Sequence, residues 1–420
     1  MMKYARVMLL CMAITLGIAG CGGQEHMKEI SLPPLPSESA KTSSPLKIHA
    51  PRMNHRPSTV TKFRLTHEPS ESTSTVGTSQ QRVQATAVSG HLPVRGIYVS
   101  GWVAGSKHRL DRLIQLVDKT DLNAMVIDVK NDYGQLTYHS SLPVVKAIGA
   151  DRHVAISDIK GLLHKLKAKN IYVIGRIVTF KDPLYAKKHP AMALQKRGGG
   201  VWRDAQGKAW LDPFQQQVRT YNTAIAEEAA AIGFDEVQFD YVRFPDNGSK
   251  VDREVSYHNT QGRSKPQIIS SFLREARGPI HAKGARVSAD VFGLVTSSTN
   301  DMGIGQSWRG VSGAVDVISP MTYPSHYSTG MYGVKQPDLS PYAIIRHALT
   351  DAQHRNAVMR SGNASTAAIR PWLQSFTARW VHPHQTYGAE QVNKQVQAAR
   401  DLGIREFLLW SSNCKYDYHS

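Results

Sequence analysis

Between residues 94 and 413 the chain alternates two patterns of apolar spacing. Short runs dominated by Val, Ile, Phe and Leu, several with strict apolar–polar alternation, predict β-strands. Longer stretches with apolar residues three and four apart predict amphipathic helices. The strand-like runs are VRGIYVSG (94–101), AMVIDVKN (124–131), YVIGRIVTF (172–180), EVQFDYVRF (236–244), ARVSADVFG (285–293), DVISPMTYP (316–324), AIRPWLQSF (368–376) and EFLLWSSN (406–413). Helical patterns fall near 106–120, 155–169, 215–232, 265–283, 341–353 and 388–402, and a GGG-containing loop near 198–213 interrupts the third unit. Strands separated in this way imply parallel βαβ units. Eight of them over about 325 residues predict an α/β fold, a (β/α)8 TIM barrel with insertions. A doubly wound open sheet is the competing arrangement, but no Gly-rich nucleotide loop follows the first strand. The eighth strand leaves little room for an eighth helix.

Alternation along a barrel strand sends one set of side chains inward and the other to the helices. In the fourth strand Val237, Phe239 and Tyr241 form the apolar set, so Gln238 and Asp240 point inward. The same logic turns Ser288 and Asp290 inward in the fifth strand, and Asp128 and Lys130 in the second. Gln374 shares a phase with Trp372 in the seventh, and Trp410 is the inward aromatic of the eighth. Glu236 and Asp316 fall at strand starts, the end of a barrel that serves stability rather than chemistry.

Composition adds what comes before the barrel. Lys3 and Arg6 precede the apolar run VMLLCMAITLGIA, the layout of a secretory signal peptide too short for a membrane span. Ile18-Ala19-Gly20-Cys21 resembles a bacterial lipobox, so residues 1–20 are expected to leave and Cys21 to carry lipid. Residues 21–90 are rich in Ser, Thr, Pro and Gln with few aromatics, and a stretch of that kind buries too little apolar surface to offset ordering. They are expected to form a disordered tether, with the barrel domain over 91–420. The expected location is therefore the extracytoplasmic face of a bacterial membrane. Once Cys11 leaves and Cys21 is lipidated, Cys414 has no partner and no disulfide is expected. The net charge of +18 draws a chain toward polyanions. No dense Lys/Arg run or aromatic–basic module is present, so no nucleic-acid partner is expected and the charge is assigned to the tether and solvated surface.

Asp240 and Asp290 then stand on adjacent strands near their C-terminal ends, where barrel chemistry resides. A protonated carboxyl facing an ionised one is the equipment of glycoside hydrolysis. Burial and mutual repulsion separate the two pKa values. Asp128 reads equally as a sugar ligand or as an ion-pair partner of Lys130 or Arg176. Lys130, Gln238, Arg243, Tyr323, Trp372, Gln374 and Trp410 are the expected substrate-positioning groups, the aromatics by stacking on sugar faces. No G-x-S-x-G elbow or G-x-x-x-x-G-K-[ST] loop occurs, and Gly303–Gly305 is a lone G-x-G. His326, His382 and His384 lack the spacing of a metal site, so neither metal nor cofactor is expected.

The ordered segments RGIYVSGW, VIDVKNDYG, RIVTFKDP, GFDEVQFDYVRFP, VSADVFG, VDVISPMTYPSHY and RPWLQSF, from about 94 to 413, resemble a bacterial family of putative glycosyl hydrolase domains, domain of unknown function 4015. That family is similar to α-amylase-like (β/α)8 glycosidases. The resemblance implies a nucleophile at Asp240 and an acid/base at Asp290, acting on a cell-envelope or exported polysaccharide. Amylase-like enzymes usually carry Glu on the fifth strand. The shorter Asp290 changes carboxylate spacing and leaves retaining and inverting chemistry both open. The alternative is a non-catalytic carbohydrate-binding lipoprotein with a degenerate barrel.

Overall fold

The computed structural model describes residues 92–419; the leader, Cys21 and the tether fall outside the described residues. Eight parallel strands form the wall: β1 Arg95–Val99, β2 Ala124–Lys130, β3 Tyr172–Val178, β4 Glu236–Asp240, β5 Arg286–Phe292, β6 Val317–Met321, β7 in two pieces (Ala368–Ile369 and Trp372–Gln374) and β8 Phe407–Trp410. Each pairs with the next in sequence order. Pairing of β8 with β1, through Arg95↔Phe407, closes the ring. The chain is thus a closed (β/α)8-type barrel, as its periodicity predicts.

The crossover helices are α1 Lys107–Lys119, α2 Ile159–Lys167, α3 Gln216–Ile232, α4 Lys265–His281, α5 Trp308–Ser312, α6 Pro341–Ser361 and α7 Ala389–Asp401. Each lays an apolar stripe on the outer face of the wall. In α1 that stripe is Leu110, Leu113, Ile114 and Val117, the three-and-four spacing of one helix face. In α4 a reciprocal Ser264–Gln267 capping box fixes the start, and Phe272 meets Phe239 of β4 with ring centroids 5.1 Å apart. Beyond β8, residues 411–419 run as a turn and extended segment rather than a helix.

Three strands depart from the expected pattern, each for a local reason. β4 stops at Asp240 because Tyr241 takes a left-handed backbone, φ +48°. Such a conformation costs a non-glycine residue about 1–3 kcal/mol and persists only where its surroundings impose it. β7 breaks at Arg370-Pro371, where proline has no N–H for the ladder. In β2 the register with β3 shifts between Asp128 and Lys130. That extra residue, Val129, makes a β-bulge, and a bulge reverses the inward–outward phase beyond it. The GGG loop folds into short antiparallel bridges, Ala193↔Leu211, Gln195↔Val201 and Arg203↔Ala209, beside the C-terminal end of β3. The Gly303–Gly305 motif is a packing device: a Cβ on Gly248 would sit 2.4 Å from the Gly303 carbonyl oxygen.

Of the two places to which the sequence assigns the positive charge, the barrel surface carries more than the tether. Residues 92–420 carry 41 Lys and Arg against 28 Asp and Glu, a net +13 of the total +18. The barrel domain, not the tether, holds most of the excess.

Candidate active site

The barrel interior is layered by charge. At the closed end, where strands begin, Arg370 donates to both oxygens of Glu236 at 2.8 and 3.0 Å and to Glu406 at 2.9 Å. The Arg370 and Glu236 side chains are fully buried, and the strand-start assignment of Glu236 to stability agrees with this ion pair. Above it lies a neutral layer, in which Gln238 donates to Ser319 at 3.3 Å. The mouth layer holds the acids.

Arg176 of β3 organises that layer. Its Nε and Nη2 donate to Asp240 Oδ2 at 2.9 and 2.5 Å, and its Nη1 donates to Asp128 Oδ1 at 2.6 Å. Tyr98 donates to the other oxygen of Asp128 at 2.6 Å. Asp240 Oδ1 accepts the backbone N–H of Tyr241 at 2.6 Å. The left-handed turn at Tyr241 thus closes a ring on the carboxylate that precedes it. Burial works against the charge of Arg176, yet Asp240 and Asp128 together hold its pKa well above the ordinary value. Burial raises Asp128, against the pull of Arg176 and Tyr98. Trp410 stacks on Tyr98 at 4.3 Å, and the Arg176 guanidinium lies 5.3 Å from the Trp410 ring centre.

Asp290 of β5 is in the opposite electrical situation. It is 1% exposed, and its Oδ1 accepts the Trp372 indole N–H at 2.8 Å. Burial raises its pKa well above the carboxylate range, and the charge of Asp240 raises it further; Trp372 and Arg176 only partly offset this. Indole is a donor only, so Oδ1 is the acceptor in this contact, which leaves Oδ2 to carry the proton of the acid form. Gln306 braces the strand end, donating to the Asp290 carbonyl at 3.0 Å and accepting from Phe292 N–H. Tyr323, just beyond β6, is buried against His326 and Phe376, and burial, then the charges of Asp290 and Asp240, raise the pKa of its hydroxyl.

The inward phase therefore brings Asp128, Asp240, Asp290, Trp372 and Trp410 into one mouth layer, whereas Tyr323 and Trp372, 2% and 1% exposed, are too buried to stack on a sugar face as expected. Arg243 lies beside it, 5.1 Å from the Tyr241 and Trp210 ring centres and 4.4 Å from that of Phe292, paired with Asp246 at 2.9 Å. Three expected groups are held elsewhere. Lys130 is not inward: the bulge at Val129 turns it into the helix layer, where it donates to Asp182 at 2.9 Å and to Asn222 of α3 at 2.8 Å. Gln238 belongs to the neutral layer beneath. Gln374 is fully buried and ties loops together, accepting from Ser325 N–H and donating to Asp338. His326 packs among Tyr323, Phe376 and Trp380, and burial lowers its pKa to about 4. His382 and His384 face each other at 5.6 Å.

Sequence phasing left Arg176 out of the site, although a lone cation in YVIGRIV is the same signal that singled out Asp240. It also left out Trp102, Tyr133 and Trp380, which are 58%, 46% and 41% exposed. Trp102 lies in the short helix Gly101–Ala104 after β1, and Tyr133 and Trp380 lie in the segments after β2 and β7, all past C-terminal strand ends. Exposed rings of this kind are platforms for the apolar faces of sugars.

The profile of a family described as a putative glycosyl hydrolase domain matches residues 96–416. A hypothetical protein from Ruminiclostridium thermocellum is 39% identical over 46% of this chain and 97% of its own, with a TM-score of 0.43. The glycoside hydrolase domain of PgaB (BpsB) from Bordetella bronchiseptica covers 76% of this chain and 94% of its own at 16% identity, TM-score 0.53. A β-galactosidase from the psychrophilic Marinomonas ef1 covers 76% of this chain and 54% of its own at 12% identity, TM-score 0.52. At those identities the last two speak to the fold alone. No curated protein matches the chain.

Proposed function

The chain belongs to the putative glycosyl hydrolase domain family, and from that premise we propose that it hydrolyses glycosidic bonds of a cell-envelope or exported polysaccharide. One observation carries the reading: Asp290 is buried against the Trp372 indole, where burial and the charge of Asp240 raise its pKa, while Asp240 is ion-paired to Arg176. This is the division of labour that glycoside hydrolysis requires. Asp290 Oδ2–H gives its proton to the departing glycosidic oxygen. Asp240 attacks, or stabilises, the oxocarbenium-like carbon. Arg176 pairs with Asp240 and aims it, and Asp128, held by Tyr98, fixes Arg176. Trp410 and the rim aromatics hold the sugar rings. The sequence features at Cys21 and 21–90 support a lipid-anchored protein at the extracytoplasmic face, with the tether carrying the barrel to its substrate.

The exposed Trp102, Tyr133 and Trp380 favour a second reading, a binding protein that grips glycan without cleaving it. Incubating the purified full-length chain with a panel of defined polysaccharides separates the two. Reducing ends released by wild type, and abolished in Asp240→Asn and Asp290→Asn, support hydrolysis. Retention of a glycan without release by any of the three supports the binding reading. Equal release by all three sinks the catalytic assignment.

A further inference from the structure

The flank of the barrel between β8 and β1 carries a feature that the mouth does not explain. In a regular (β/α)8 unit a helix after β8 would pack against α1. Here residues 411–419 cross that space as a turn and extended segment. Tyr416 donates to the Tyr98 carbonyl at 2.5 Å, and Tyr418 donates to Asp121 at 2.6 Å. A cleft of about 660 Å³ remains between this segment and the outer side of α1.

The cleft is lined by cations and no carboxylate. Arg109, Arg112 and Lys119 come from α1, and Lys415 and His419 from the C-terminal segment. On α1 the three cations fall at i, i+3 and i+10, one stripe that runs about 15 Å along the helix. The acids of the same helix are sorted to another face. Asp111 pairs with Lys165 at 2.6 Å, and Asp118 with Lys169 at 2.8 Å, both toward α2. No carboxylate lies within ion-pair distance of Arg109, Arg112, Lys119 or Lys415 among the described residues, whereas His419 pairs with Asp417. Four unpaired cations facing one groove repel each other unless an anion lies between them. A lone basic residue on a surface needs no such explanation, but a segregated stripe beside a concave slot does.

We propose that this groove binds a linear phosphate-bearing polymer, independently of the catalytic mouth. Its shape decides between anionic partners. A flat lipid surface reaches protruding cations, whereas a strand of repeating phosphates enters a groove and meets both walls at once. The net +13 of the barrel domain adds long-range attraction that raises the encounter rate.

The test uses the full-length chain in detergent, with long-chain inorganic polyphosphate as probe and fluorescence anisotropy across a salt series. The reference variant, Lys146→Glu/Lys187→Glu/Lys188→Glu, removes the same charge from exposed residues elsewhere. Wild type should bind with an affinity that falls log-linearly with salt. Arg109→Glu/Arg112→Glu/Lys415→Glu should lose at least about tenfold in affinity and show a shallower salt slope, and the reference variant should lose far less. Arg109→Gln/Arg112→Gln/Lys415→Gln should show an intermediate loss, which guards against misfolding of the reversed variant. Equal losses in the groove and reference variants would overturn the proposal, since they would report net charge alone. So would groove-dependent binding to phosphatidylglycerol vesicles with no binding of polyphosphate. Release of glycan by the mouth is unaffected by either outcome, so this test stands or falls apart from the hydrolase reading.

Discussion

Asp290→Asn should separate activity from stability in opposite directions. Asparagine has the shape of the protonated acid: its carbonyl accepts the Trp372 indole N–H, and its NH2 stands where Oδ2–H stands. The folded state therefore loses nothing. The unfolded state of wild type does differ. There the carboxyl ionises near its ordinary pKa of about 3.9, while burial and Asp240 keep it protonated in the fold. A group whose pKa is raised by folding contributes its full stability below the unfolded value and loses it as pH rises toward the folded value. Wild type should thus lose about 1.4 kcal/mol per pH unit from this residue across that window. The asparagine variant lacks the term, so the difference between the two should grow at that rate, reaching about 2.7 kcal/mol in the variant's favour two pH units above the unfolded pKa. Urea unfolding of both proteins at half-unit steps from pH 4 to pH 8 measures it. Parallel stability–pH curves would refute the argument, because Asp290 would then titrate alike in both states. In the same variant glycan release should fall by about 100-fold or more, and aryl glycosides with acidic leaving groups, which need no proton, should suffer far less.

Three further outcomes follow from the geometry. Arg176→Met strips the cation from Asp128 and Asp240, and at neutral pH should cost about 3–5 kcal/mol in urea unfolding, with a smaller loss in acid as the stranded carboxylates take up protons. Trp372→Phe removes the hydrogen bond that favours ionised Asp290, so its pKa should rise and the alkaline limb of the pH–activity profile should move up by about one pH unit; an unmoved limb would mean Asp290 is not the group that limits it. Lys130→Met should destabilise by about 3–5 kcal/mol by stranding buried Asp182, yet leave the rate per folded molecule unchanged, as titrated by unfolding and steady-state assays on the same samples.

The barrel was legible because its strands are short apolar runs with period two and its helices carry stripes with period three to four. Each signal depends only on neighbours in sequence. The phase of Asp240 and Asp290 followed from the same rule, since β4 and β5 keep their alternation up to those residues. Lys130 defeated the rule because one extra residue, Val129, enters the ladder with β3, and a bulge leaves no mark in AMVIDVK. The break in β7 was readable in principle from Pro371. Arg176 carried a sequence signal equal to that of Asp240, but its role as a bridge between two acids depends on which strands become neighbours. The cationic stripe on α1 went unread because Arg109, Arg112 and Lys119 are scattered among acids in sequence and meet only on one helix face, beside a slot that depends on how residues 411–419 cross the flank.

The layered interior also dictates how the molecule can be handled. Strand β1 begins at the end sealed by Glu236 and Arg370, and Leu92, just ahead of it, is 77% exposed. The described chain therefore enters the barrel at the face opposite the mouth. A protein coupled to a bead, sensor chip or vesicle at Leu92 itself is held by the face opposite Asp240, Asp290 and the exposed aromatics. Immobilisation by that route keeps the opening accessible to chains too long to diffuse into a crowded surface.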